Sequence, residues 1–183
     1  MSFSLIYIRS IFDFIVYFLD AIGYSGPVIL FACSLYLLRE KGKETYAMIY
    51  ILGFLFNIVL NFALKGLIQQ PRPAEDTRLF NLEQIMGKRI SYDRYGMPSG
   101  HAQSALYSTL FTYFVFKNMY ITGGFLLVSL LTAYQRVKYQ NHTWFQVLVG
   151  AVVGAWMAYL CYYYGKRLIQ GFMRAKKDDH GPV

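Results

Sequence analysis

The sequence predicts an all-α fold: a polytopic transmembrane bundle of five or six helices, forming one membrane-embedded domain over residues 1–183. Three observations predict it. Hydrophobic residues make up 56% of the chain and charged residues only 15%, against about 25% charged in an average soluble domain. The apolar residues come in stretches near the ~20 that cross a hydrocarbon core. The charges gather between those stretches, as they do in loops that border a bilayer. Disorder is excluded, because it needs low hydrophobicity. The formal charge of +8 reads as loop charge beside lipid rather than a nucleic-acid footprint, so the bilayer is the expected partner. Cys33 and Cys161 lie in apolar runs and make neither a disulfide framework nor a zinc pattern.

In the first segment, Ser4–Asp20, the residues Arg9, Asp13 and Asp20 recur on one helical face opposite Leu, Ile, Phe and Tyr. That pattern suits an interfacial amphipathic helix or a sixth span. Ile22–Leu38 is the next candidate span, with Gly26-Pro27 near its start, where proline is tolerated. Thr45–Leu64 follows, with Asn57 and Asn61 its only strongly polar residues. The stretch 65–98 holds the one long polar loop, and Pro71 and Pro73 end the helix before it. Gly100–Phe116 and Tyr120–Tyr134 are shorter spans joined at Lys117-Asn118. Thr143–Gly165 is the last, with Gly150-x3-Gly154 allowing close helix approach, and a basic tail covers 166–183.

Alternating spans place the Lys65–His101 and Arg136–His142 regions on one membrane face. Putting the Arg39–Glu44 loop in the cytoplasm makes that face extracytoplasmic or lumenal, an orientation the loop charges favour modestly.

Three clusters on that face can do chemistry. Lys65-x6-Arg72-Pro73 brings two cations; alone, such a pair is often only a headgroup anchor. Pro98-Ser99-Gly100-His101 opens a helix: Ser99 is a plausible N-cap and Gly100 lets a ligand approach the backbone. The free N–H groups of such a terminus bind anions. Ser104, Ser108 and Thr112 continue a polar stripe from His101, which should face the bundle interior. In Arg136-x5-His142-x3-Gln146, residues 142 and 146 stand one helical turn apart. Gln146 is therefore expected to accept a hydrogen bond from His142 and fix its tautomer. Three cations and a helix terminus suit a phosphate ester, and two histidines suffice for nucleophile and acid. No metal-ligand pattern appears, so neither metal nor cofactor is expected.

In this order, the clusters resemble the type 2 phosphatidic-acid phosphatase superfamily, whose pattern is Lys-x6-Arg-Pro, Pro-Ser-Gly-His and Ser-Arg-x5-His-x3-Asp. The resemblance implies that Lys65, Arg72, Ser99, Gly100 and Arg136 bind phosphate. It implies that His101 protonates the leaving oxygen and that His142 attacks phosphorus, giving a phosphohistidine. Gln135 and Gln146 depart from the family's Ser and Asp. The segments Tyr95–Gln103 and Arg136–Val147 are similar to the dolichyldiphosphatase branch, which carries the same Gln. That likeness implies a lipid phosphate substrate, a polyisoprenyl diphosphate cleaved to the monophosphate. Two alternatives stay open: a broad phosphatidic-acid or phosphatidylglycerol-phosphate phosphatase, and a catalytically silent membrane protein that binds anionic lipids. Asn141-His142-Thr143 is formally a glycosylation sequon, expected to be unmodified beside the site.

Overall fold

The computed structural model describes the backbone over residues 3–73 and 91–178, and side chains over 10–73 and 91–171. The middle of the 65–98 loop, the side chain of Arg9 and the end of the basic tail lie outside the described residues. Five α-helices are described: α1 (Phe3–Leu38), α2 (Glu44–Ile68), α3 (Gly100–Phe116), α4 (Met119–Lys138) and α5 (Trp144–Asp178). A short 3-10 helix, Ser91–Arg94, precedes α3.

Three of these boundaries correct the sequence reading. Ser4–Asp20 and Ile22–Leu38 are not two elements: α1 runs unbroken through both, with Pro27 inside it. Gly23, a residue type that often ends a helix, is here packed against α4 instead: a Cβ there would lie 2.7 Å from the Leu131 carbonyl oxygen. The polar face read for its first half is not uniform either. Asp13 is exposed, whereas Asp20 is buried and accepts hydrogen bonds from Lys138 Nζ and Tyr139 Oη at the end of α4. The basic tail is also helical from Lys166 to Asp178, as a continuation of α5. Lys65 belongs to the last turn of α2 rather than to the loop after it.

Among the described residues, three helices are long and apolar enough to cross a membrane: α1 over Ser10–Leu38, α2, and α5 over Trp144–Gly171. The shorter α3 contacts all four other helices and forms the centre of the bundle. Its expected polar stripe does face inward. Ser104, Ser108 and Thr112 are buried, Ser108 is bonded to Tyr50 Oη at 2.7 Å and Thr112 to Ser34 Oγ at 2.9 Å. Hydroxyls in an apolar bundle need such partners, because lipid offers none.

Close packing of α5 on α3 depends on glycine. A Cβ at Gly154 would lie 2.0 Å from the Gln103 carbonyl oxygen, and one at Gly150 would lie 2.4 Å from that of Ser99. The bundle is layered along its axis. The half remote from the long loop has an aromatic core of Tyr50, Tyr107 and Phe111, with ring centroids 5.2–5.9 Å apart. Above it sits a layer of buried amides. Gln103 Nε2 donates to Asn57 at 2.9 Å, and Asn61 Nδ2 donates to Gln103 Oε1 at 2.8 Å and to the Pro98 carbonyl at 3.2 Å. These bonds tie α2 to the start of α3 and support the polar end of the molecule.

Candidate active site

The three clusters converge at that polar end. Arg72 Nη1 donates to His142 Nε2 at 3.0 Å and to the Asn141 carbonyl at 2.9 Å, across about seventy residues of chain. Local structure makes each approach possible. Gln69 ends α2 in the left-handed conformation, with φ of 50°, and the irregular Gln70–Pro73 segment then turns Arg72 back over the bundle. At the end of α4 the amides of Asn141 and His142 both donate to the Arg136 carbonyl, at 3.0 and 3.1 Å. That turn carries His142 to the mouth between α4 and α5.

His142 is 2% exposed, and both of its ring nitrogens are engaged. Nδ1 lies 2.7 Å from the Gly96 carbonyl oxygen. A carbonyl only accepts, so Nδ1 carries the proton and Nε2 presents its lone pair to Arg72. Burial holds the imidazole well below the usual histidine range, and Arg72, Arg136 and Lys65 lower it further; the Gly96 bond opposes them. The ring is therefore neutral near pH 7, with the nitrogen that could attack phosphorus unprotonated.

Gln146 does not orient His142, contrary to expectation. Its side chain is spent elsewhere. Oε1 accepts from the Thr143 amide at 3.2 Å, while Thr143 Oγ1 accepts from the Gln146 amide at 3.2 Å. This reciprocal pair is a capping box at the start of α5. Nε2 donates to the Pro71 carbonyl at 2.9 Å and to Gln70 Oε1 at 3.1 Å. The backbone carbonyl of Gln146 accepts from the Ser99 amide at 3.1 Å. Gln146 thus joins the Arg72 segment, the Ser99 turn and the His142 turn, without touching the imidazole. The orienting role that the helical spacing assigned to it falls to Gly96.

The remaining predicted residues surround this centre. Lys65 and Arg136 are buried, at 2% and 3% exposure, and their charges act on each other and on His142. Ser99 occupies the N-cap position of α3, but its side chain makes no cap bond. Its Oγ is buried and has no hydrogen-bond partner among the described residues, which leaves it available to an incoming anion. Gly100 packs under Asn61: a Cβ there would meet Asn61 Oδ1 at 3.0 Å. His101 is half-buried in the first turn of α3, its ring tilted against Tyr24 of α1 with centroids 5.8 Å apart. It makes no hydrogen bond to His142, whose two nitrogens are taken. Gln135 is buried beside Arg136 and accepts from its Nη1 at 3.4 Å. Asn141 is fully buried, so the sequon asparagine has no room for a glycan.

Sequence reasoning missed the site roles of four residues. Asp93 binds Lys65 Nζ and Arg72 Nη2 through one carboxylate oxygen, the latter at 3.4 Å. Its backbone carbonyl also accepts from Arg72 Nη2, at 2.6 Å. Gly96 supplies the carbonyl for His142, and its lack of a side chain admits Gln146: a Cβ would lie 2.5 Å from Gln146 Oε1. Gln70 and Pro71 anchor the Arg72 segment. The capping box was legible as Thr143-x-x-Gln146. No local signal marked Asp93 or the Gly96 carbonyl.

Known proteins resemble this chain in sequence and in fold. The family model described as the PAP2 superfamily matches residues 46–170. Human dolichyldiphosphatase 1 is 29% identical over 132 residues, covering 63% of this chain and 51% of that protein. The chloroplastic lipid phosphate phosphatase epsilon 2 of Arabidopsis thaliana is 31% identical over 137 residues, covering 70% of this chain and 42% of that one. The chain spans about half the length of these relatives. The crystal structure of the first transmembrane PAP2 type phosphatidylglycerolphosphate phosphatase from Bacillus subtilis superposes with a TM-score of 0.61 at 20% identity. That match covers 81% of this chain and 75% of the other, and it shows a shared fold.

Proposed function

The chain belongs to the PAP2 superfamily, and on that premise we propose that it is an integral membrane lipid phosphatase acting through His142. In this reading the substrate is a polyisoprenyl diphosphate. Its terminal phosphate enters the cradle of Lys65, Arg72, Arg136 and the α3 N-terminus, while its tail stays in the bilayer. A phosphate oxygen takes over the Arg72 Nη1 hydrogen bond that His142 Nε2 accepts in the free protein, while the Asn141 and Asp93 carbonyls hold the guanidinium in place. The freed lone pair forms the N–P bond as the P–O bond to the leaving monophosphate breaks, and His101 donates a proton to that oxygen. Water then cleaves the phosphohistidine, returns a proton to His101 and releases inorganic phosphate. Preplaced cations and N–H groups stabilise charge as it develops, the term that usually dominates such catalysis.

The observation that carries the reading is the state of His142: Nδ1–H held by the Gly96 carbonyl, Nε2 facing Arg72. Loop charge supports placing the site on the extracytoplasmic or lumenal face. The wording of the Tyr95–Gln103 and Arg136–Val147 segments favours the isoprenoid. A second reading, a broad phosphatase for phosphatidic acid or phosphatidylglycerol phosphate, draws on the 31% identity to the Arabidopsis lipid phosphate phosphatase.

The test is phosphate release from detergent-solubilised protein in EDTA, with the polyisoprenyl diphosphate and phosphatidic acid as competing substrates. The isoprenoid should win, and release should stop in His142→Ala. Preference for the diacyl lipid would support the second reading. Equal rates in the wild type and the variant would leave the silent, lipid-binding alternative.

A further inference from the structure

The two cations at one side of the cradle already hold an anion. Lys65 Nζ and Arg72 Nη2 both donate to Oδ1 of Asp93. Both cations are deeply buried, their side chains 3% and 6% exposed, whereas that of Asp93 is 40% exposed. The asymmetry matters. A buried ammonium cannot be left without a counter-charge, because its desolvation is costly. A carboxylate at the rim can rotate into water and recover its hydration. Arg72 would keep its orientation through that movement, since its guanidinium is separately held by the Asp93 backbone carbonyl at 2.6 Å and the Asn141 carbonyl at 2.9 Å.

We propose that Asp93 is an internal competitor of the phosphate group: its carboxylate occupies Lys65 and Arg72 in the free protein, swings out when phosphate binds, and returns when phosphate leaves. The inference rests on the phosphate-cradle reading above and adds to it a residue that sets affinity. Whatever stabilisation Asp93 gives the empty cradle is subtracted from the binding of every phosphate. Binding substrate and transition state equally tightly does not raise the turnover rate, so weakening that uniform binding costs little in catalysis. It also hastens departure of inorganic phosphate, which would otherwise linger among three buried cations.

The experiment compares wild type, Asp93→Asn and Asp93→Glu in detergent. It uses two readouts: the concentration of inorganic phosphate that raises the melting temperature, and the inhibition constant of inorganic phosphate in turnover. Asp93→Asn keeps the shape and removes the charge. It should tighten phosphate by both readouts about tenfold, the scale of a 1.4 kcal/mol change, and lower KM in parallel. Asp93→Glu keeps the charge and should stay near wild type. Weaker phosphate binding in Asp93→Asn would make Asp93 a support for the cations and overturn the proposal. Equal tightening in both variants would overturn it too, because charge would then be irrelevant. If wild type itself shows no phosphate effect, the cradle reading fails and this inference with it. If wild type responds and Asp93→Asn does not tighten, only this inference fails.

Discussion

The Gly96 carbonyl oxygen lies 2.7 Å from His142 Nδ1, and this one bond settles which imidazole nitrogen is free to react. A carbonyl carries no net charge, so it fixes the tautomer while giving an imidazolium less support than a carboxylate would. The site answers with burial and three cations, which keep the ring neutral.

The protonation state of His142 should follow. Its folded-state pKa is lowered, so the neutral ring persists as pH falls through 6.5, where an unfolded histidine takes up a proton. This group therefore favours unfolding below about pH 6.5 and is without effect above it. The chain has three histidines, so nitrogen-15 NMR of labelled protein, assigned with His142→Ala, can follow each one. His142 should remain the Nδ1–H tautomer at pH 5.5. A ring titrating at 6.5 or above would contradict the site geometry.

Gln146→Glu separates the two jobs of that side chain. The carboxylate can still accept from the Thr143 amide and complete the capping box, but it cannot donate to the Pro71 carbonyl or Gln70 Oε1. Part-buried acceptors left facing a carboxylate cost about 1 kcal/mol or more. Phosphate release should fall about tenfold or more, with KM rising as Arg72 loses its register. Gln146→Asp should fare no better, although it restores the superfamily's residue, because Gln146 does not contact His142. Steady-state kinetics of both variants decide this.

Gly96→Ala should damage turnover more than folding. The added methyl meets Gln146 Oε1 at 2.5 Å, so Gln146 or the Gly96 carbonyl must move. Either shift loosens His142. The check is kcat against melting temperature: kcat should drop at least about tenfold while the protein still unfolds cooperatively, because at this buried position the methyl meets the end of a side chain that can give way.

Gly154→Val should do the reverse. Its Cβ would lie 2.0 Å from the backbone oxygen of Gln103, where no flexible side chain can yield. Separating α5 from α3 should cost about 1–3 kcal/mol, the usual scale of overpacking. Thermal unfolding in detergent, or the folded yield, reads it directly.

Segment hydropathy placed α3 at Gly100–Phe116 to the residue and put Lys65, Arg72, Ser99, Arg136 and His142 on one end of a bundle. Those features are local: the length of an apolar run, a helix start at Ser99, the alternation of spans. The continuity of α1 through Pro27, the carbonyl that holds His142 and the place of Asp93 were settled elsewhere. Each depends on partners far along the chain. His142 meets a residue 46 positions away, Gln146 one 75 away and Asp93 one 28 away. Periodicity carries no information about such pairs, because a side chain at one helical turn from another can equally well turn to a third segment. The choice is made only when packing brings those segments together and every buried donor must find an acceptor.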